Sequence, residues 1–409
     1  MRRLAALCVY YLVVFAVGGV FLPYFPRWLE AQGMHGSRLG LISAAAPAMS
    51  VVAPIAIGVL ADVFGVRGWL LQVAWGGALV TLLALTGFEL LHVPLGFGAL
   101  MLFALVLALF RSPTTFIADV LALEHTVGEK TSYGRLRLWG SLGFMAAVVA
   151  VPRIMDSTDA LAFPLTMSVM TFGALLAALA LPRRSALPAR QVSRSSEPLW
   201  ADRGVRYFLI TAFVSQCGHS AYDLCFTIHL FALGISPTNV GTAWAIGTGA
   251  EVLMMAYGVP LFRAFSPASV LALGLVGASV RWILIAATKS PVALLCLQPL
   301  HAVSFGVVWL SMVGYTSRRF PSRSLATAQG ALSTCLSGGA VVGMVLWGAV
   351  FQRFGGAVVF DGAALVSMIA ALSALAVRHY SACWDANQDG NSDGFEPLPP
   401  SRDCGSHAL

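Results

Sequence analysis

Two charged residues next to apolar runs, Asp119 and Arg137, are the first in this chain whose types and spacing could do chemistry. The run near 93–117 is expected to form one apolar helix, closed by Asp119. After it, Tyr133-Gly-Arg135 reads as a turn into a second helix carrying Arg137 at its start. A hairpin would bring carboxylate and guanidinium face to face. Charges at the edge of a bilayer span are costly unless paired or functional. Arg111 lies two turns before Asp119. Its guanidinium would either hold a solute carboxylate in a two-pronged hydrogen bond or pair internally with Asp119.

A second constellation lies further on: Glu251, Arg281 and His301, each within an apolar run. Burial disfavours a charged carboxylate and a nearby arginine favours it, so making and breaking such a pair changes proton affinity. Histidine titrates near neutral pH. His219 and Asp223, four residues apart, share one helix face and form another candidate acid–base pair. His229 reads as a boundary residue near the end of its run. Tyr10, Tyr11 and Phe15 are candidates for lining a cavity, or for plain packing.

The elements that must position these groups follow from composition. The 409 residues are 58% hydrophobic and 11% charged, with a mean hydropathy of +0.80. That excludes an ordinary soluble domain. Apolar runs of about 20 residues, enough to cross a hydrocarbon core of about 30 Å, recur throughout. The expected fold is an all-α polytopic membrane protein with twelve spans, near 4–26, 38–61, 69–90, 93–117, 136–155, 160–181, 206–232, 239–262, 268–288, 291–315, 325–350 and 357–379. The expected division is a six-helix bundle at 1–182, a basic linker at 183–205, a second six-helix bundle at 206–380 and a polar, disordered tail at 381–409.

Lys and Arg concentrate in loops on one side, which assigns both termini to the cytoplasm. The net charge of +7 is therefore a topology signal, not a nucleic-acid footprint. The expected partners are lipid, a small solute and protons, with a monomeric chain. Seven scattered cysteines show neither disulfide nor metal spacing. No elbow, metal or phosphate-loop motif supports an enzyme, and no cofactor is expected.

The two halves repeat. Leu29, Ala31, Gly33 and Gly40 match Leu230, Ala232, Gly234 and Gly241 at a constant offset of 201. A parallel repeat of six spans joined by a basic linker is the architecture of the major facilitator fold. Gly58-Val-Leu-Ala-Asp62 through Gly65 to Arg67 is similar to that superfamily's gating-loop signature. Its glycines allow close helix approach, and Asp62 can cap a helix or pair with Arg67.

More narrowly, the segment from Ser132 to Phe144, together with Glu251, Arg281 and Leu300-His301, resembles the proton symporters related to lactose permease, above all their phenylpropionate permease branch. The resemblance implies that Asp119 and Arg137 occupy a solute site, with Phe144 in place of a stacking tryptophan. It implies that Glu251, Arg281 and His301 couple the proton, and the His219 pair makes Asp223 a further proton-coupling candidate. Ser304 stands where lactose permease has a carboxylate and Gln298 where it has a lysine, so the proton must sit elsewhere. The implied activity is proton-coupled uptake of an aromatic or other carboxylate, a sugar or a nucleoside. A proton-driven exporter and a transport-dead sensor are the alternatives. In the tail, 385–396 has the oxygen spacing of a calcium loop, but Pro397, Pro399 and Pro400 forbid an exiting helix.

Overall fold

A computed structural model describes residues 2–52, 67–126, 133–153, 159–181, 202–320 and 322–389. Its described elements are helical: α1 (Arg2–Ala31), α2 (Gly36–Ser43), α3 (Arg67–Leu90), α4 (Phe97–Thr126), α5 (Tyr133–Ala150), α6 (Ala162–Leu179), α7 (Arg203–Ala232), α8 (Pro237–Tyr257), α9 (Pro267–Ala287) and α10, spanning Pro291–Arg319. The last element, Ser322–Asp389, breaks at Gly355 into α11 (322–354) and α12 (356–389). Among the described residues the fold is an all-helical polytopic bundle, built as two repeated halves. Helices with little polar surface suit lipid because each satisfies its own backbone hydrogen bonds.

Helix ends follow local chemistry. In the second half α8, α9 and α10 each start Ser-Pro, and Ser236, Ser266 and Ser290 accept hydrogen bonds from Asn239 N, Ser269 N and Ala293 N. The serine satisfies an orphan amide and proline presets the first helical φ. The offset of 201 is visible in the backbone. Gly33 and Gly234 adopt φ of 76° and 74°. Met34 N bonds Leu29 O, as Ile235 N bonds Leu230 O. This is one left-handed helix terminus built twice, where only glycine pays no steric penalty. Gly355, at φ 79° and ψ 178°, turns α11 into α12. An L side chain is excluded there, so Gly355→Ala should cost about 1–3 kcal/mol. Thermal unfolding in detergent should show a lower midpoint, and an unchanged midpoint would refute the strain.

Several sequence expectations shift. Helix α1 runs through Pro23 and Pro26 to Ala31 rather than ending at 26. Asp119 does not close α4, which continues to Thr126, and Tyr133-Gly-Arg135 is the first turn of α5 rather than a turn before it. Helix α7 starts at Arg203, three residues early, because Asp202 caps it through Val205 N. Helix α12 continues through Asp389, so the first positions of the calcium-loop-like segment are helical. Gly58, Asp62 and Gly65 lie outside the described residues, and Arg67 opens α3.

The halves meet at the end remote from both termini. There a Cβ on Gly40 of α2 would collide with Met344 O of α11, and one on Gly348 would lie 2.5 Å from Gly36 O. Gly241 of α8 abuts Val148 O of α5 in the same way. One apolar core runs continuously across both halves and includes Ile42, Val148, Val240 and Met344. At the termini end of the second half a separate core forms around Phe208, Leu271, Met312 and Ala374. The remote end is therefore closed by backbone contact that only missing side chains permit.

Candidate functional site

Arg281 is fully buried at the heart of the second half. Its Nη2 donates to Gln298 Oε1 at 2.8 Å, and its Nη1 donates to Ser304 Oγ at 2.9 Å and to His301 Nδ1 at 3.0 Å. The guanidinium also lies over the rings of Tyr222 (4.5 Å) and Trp282 (4.7 Å). The geometry depends on α10 departing from an ordinary helix. A 3₁₀ turn at Gln298–Leu300 leads into a π-helical stretch at Ala302–Val307. Such a widened turn re-aims side chains, and here Gln298, His301 and Ser304 all reach one arginine. Gln298 is held by its own Nε2, which donates to Leu294 O at 2.7 Å, leaving Oε1 to accept.

Arginine has only donors to offer. His301 Nδ1 must therefore be the acceptor, so the neutral ring carries its proton on Nε2. That nitrogen faces Glu251 Oε2 at 3.6 Å. Glu251 and Arg281 do not pair directly, as the sequence suggests. His301 stands between them, its Nδ1 accepting from Arg281 and its Nε2 facing Glu251. On its other side Glu251 is within electrostatic reach of Arg137 in the first half. Deeper on α7, Asp223 Oδ1 lies 3.7 Å from His219 Nε2 and Asp223 Oδ2 accepts from Gln216 Nε2 at 3.4 Å.

In the first half the expected Asp119–Arg137 pair is not made. Tyr11 of α1 donates to Asp119 Oδ1 at 2.6 Å. Arg137 instead stacks on Phe15, with the guanidinium carbon 3.8 Å from the ring centroid. Gly140 makes room for this, since a Cβ there would lie 2.8 Å from Phe15. Arg111 does not pair with Asp119 either. It stacks on Phe21 at 4.1 Å, and among the described residues it forms no ion pair. Pro113, just beyond Arg111, interrupts the α4 backbone ladder. Thr114 Oγ1 bonds Arg111 O at 2.7 Å, and Tyr10 donates to Thr114 O at 3.2 Å. Phe144 faces Trp244 of α8 across the two halves, ring centroids 6.5 Å apart.

Sequence reasoning missed the aromatic partners Phe21, Tyr222 and Trp244, because ring-on-guanidinium contacts join distant helices and leave no spacing signature. His229 lies in the last turn of α7 and is buried there, and its Nε2 has no hydrogen-bond partner among the described residues. Cys8, Cys217, Cys225, Cys296 and Cys335 are free thiols.

Two helical halves that carry polar clusters within their apolar helices, and close on each other at one end, suit a membrane transporter. The chain belongs to the MFS_1 like family, a match over residues 4–361, and so to the major facilitator superfamily. It is 28% identical over 382 residues to a probable 3-phenylpropionic acid transporter of Escherichia coli (strain K12), covering 88% of this chain and 93% of that one. It is 27% identical over 325 residues to a maltose permease of Geobacillus stearothermophilus, covering 78% and 80%. Among solved structures, the nucleoside transporter NupG aligns with a TM-score of 0.78 at 17% identity, covering 92% of this chain and 99% of that one, a likeness of fold alone. These relatives and neighbours are transporters, not enzymes. The protein is a multi-pass membrane transporter.

Proposed function

We propose that this protein takes up an aromatic monocarboxylate together with a proton, across a bacterial inner membrane, working as a monomer with both termini in the cytoplasm. The observation that carries the reading is Arg111. It is a guanidinium at mid-span, braced on Phe21 and without a carboxylate partner among the described residues. A fixed cation in a membrane span asks for an anion, and a guanidinium beside aromatic rings suits an aryl carboxylate. The relative named as a probable 3-phenylpropionic acid transporter is in keeping with this.

Coupling then follows from charge. Arg137 can be balanced either by Glu251 of the opposite half or by a solute carboxylate. With Glu251 ionised, its charge offsets that of Arg137 across the seam. Once Glu251 takes a proton, Arg137 is released to the solute, with Asp119, Tyr11 and Phe144 shaping the rest of the site. Solute and proton are thereby carried together, and rocking of the halves about the glycine contacts exchanges access between the two sides. Arg281 and His301 hold Glu251 at the seam.

Isothermal titration of the purified protein with 3-phenylpropionate, beside maltose and a nucleoside, tests the solute class. Arg111→Gln should weaken 3-phenylpropionate binding about 100-fold, near 3 kcal/mol, at unchanged thermal stability. Equal affinity in the variant, or wild-type binding of maltose or nucleoside in place of the acid, would overturn the carboxylate reading.

A further inference from the structure

A cavity inside the second half is lined by Ser215, Gln216 and His219 of α7, Ser304 and Trp309 of α10, and Ser367 of α12. It has room for water beside these polar groups. His219 forms part of its wall while reaching Asp223 on its own helix at 3.7 Å. This acid–base pair is separate from the one that serves Glu251. Glu251 meets His301 Nε2, whereas His219 lies on another side of His301, ring centroids 5.7 Å apart. The Nη atoms of Arg281 are engaged by His301, Ser304 and Gln298, so none of its hydrogen bonds goes to Asp223. The second half thus holds two carboxylates on two different histidines, and the cavity reaches one of them.

We propose that His219 and Asp223 form a second proton site, filled from this cavity, so that each carboxylate solute enters with two protons. The inference rests on the proton-coupled carboxylate reading above and adds the number of charges moved. A proton arriving from cavity water is taken up by the imidazole. Its Nε2–H then faces Asp223 Oδ1, and passing it across yields a neutral carboxylic acid and a neutral imidazole. Only N–H and O–H bonds change. The groups facing this pair are Tyr222 on the same helix, His301 on α10 and, within electrostatic reach, Arg281 on α9. Glu251 on α8 lies beyond His301. The cavity walls from α11 and α12 add Leu336 and Ser367, neither of which titrates.

The consequence is electrical. One proton with a monocarboxylate anion moves no net charge, and two protons move one positive charge inward per cycle. Proteoliposomes holding the full chain, supplied with labelled 3-phenylpropionate at equal pH and given an inside-negative potassium-diffusion potential, read this directly. Wild-type vesicles should accumulate the label on the potential alone. In Asp223→Asn and His219→Phe that accumulation should be lost, while accumulation driven by a pH difference persists. The asparagine is nearly isosteric, so it carries the test if the phenylalanine variant does not fold. Wild-type uptake that responds to the pH difference but not to the potential would overturn the second site. So would potential-driven accumulation surviving in Asp223→Asn. A wild type that takes up no label under either gradient would instead overturn the carboxylate-symport reading beneath it.

Discussion

Glu251→Gln should remove the share of uphill 3-phenylpropionate accumulation that the Glu251 proton drives, while leaving exchange of labelled for unlabelled solute intact. Glu251 contacts His301 on its own side and feels Arg137 from the other. Glutamine keeps the shape and a neutral dipole, so it stands for the protonated carboxyl. Arg137 is then permanently released, and the solute site should bind without needing a proton. Each coupled proton contributes about 1.4 kcal/mol per pH unit, so two pH units drive about 100-fold accumulation per proton. With the carboxyl fixed in its neutral form, the return of the empty carrier is no longer tied to proton release through Glu251. Accumulation from that proton should collapse toward equality, and solute affinity should lose the part of its pH dependence that Glu251 sets. Accumulation against a pH difference at the wild-type ratio would remove Glu251 from the coupling.

The same seam shows what the sequence reveals and what it hides. The spans were legible because hydrocarbon tolerates only continuous apolar helix, and the repeat was legible because Gly33 and Gly234 do the same backbone task at one offset. Helix limits were less so. Pro23 and Pro26 look like stops, yet α1 passes through them, and Asp119 looks like an end although α4 runs on. The charged site residues stood out for their cost in a membrane, and the structure brings Glu251, His301 and Arg281 into one chain of contacts. Their partners were hidden. That Asp119 accepts from Tyr11 while Arg137 stacks on Phe15 depends on how α1 packs between α4 and α5, which no spacing within a helix encodes. The π-helical stretch that turns Ser304 toward Arg281 was equally invisible, because it arises from tertiary demand on α10 rather than from local propensity.

Gly40→Trp should arrest transport altogether, exchange included, and this separates access from coupling. Gly40 of α2 lies directly against Met344 O of α11, and Gly348 returns the contact against Gly36 O at 2.5 Å. The opposing atoms are backbone, so no rotamer change can make room, and overpacking a well-packed contact costs about 1–3 kcal/mol even where neighbours can adjust. The cheaper response is for the two halves to separate at the end remote from the termini, leaving the described arrangement unpopulated. Because α5 and α8 close at the same end through Gly241 and Val148 O, the loss should spread along the whole seam. Spin labels on His35→Cys and Lys289→Cys, exposed positions on opposite halves at that end, should report a longer separation in the Gly40→Trp background. Binding of 3-phenylpropionate should persist, since Arg111, Arg137 and Glu251 are untouched. If the label distance stays at its wild-type value and exchange continues, the glycine contact does not control closure. Loss of exchange with a lengthened distance would make the absence of a Cβ at Gly40 the condition for closing the remote end.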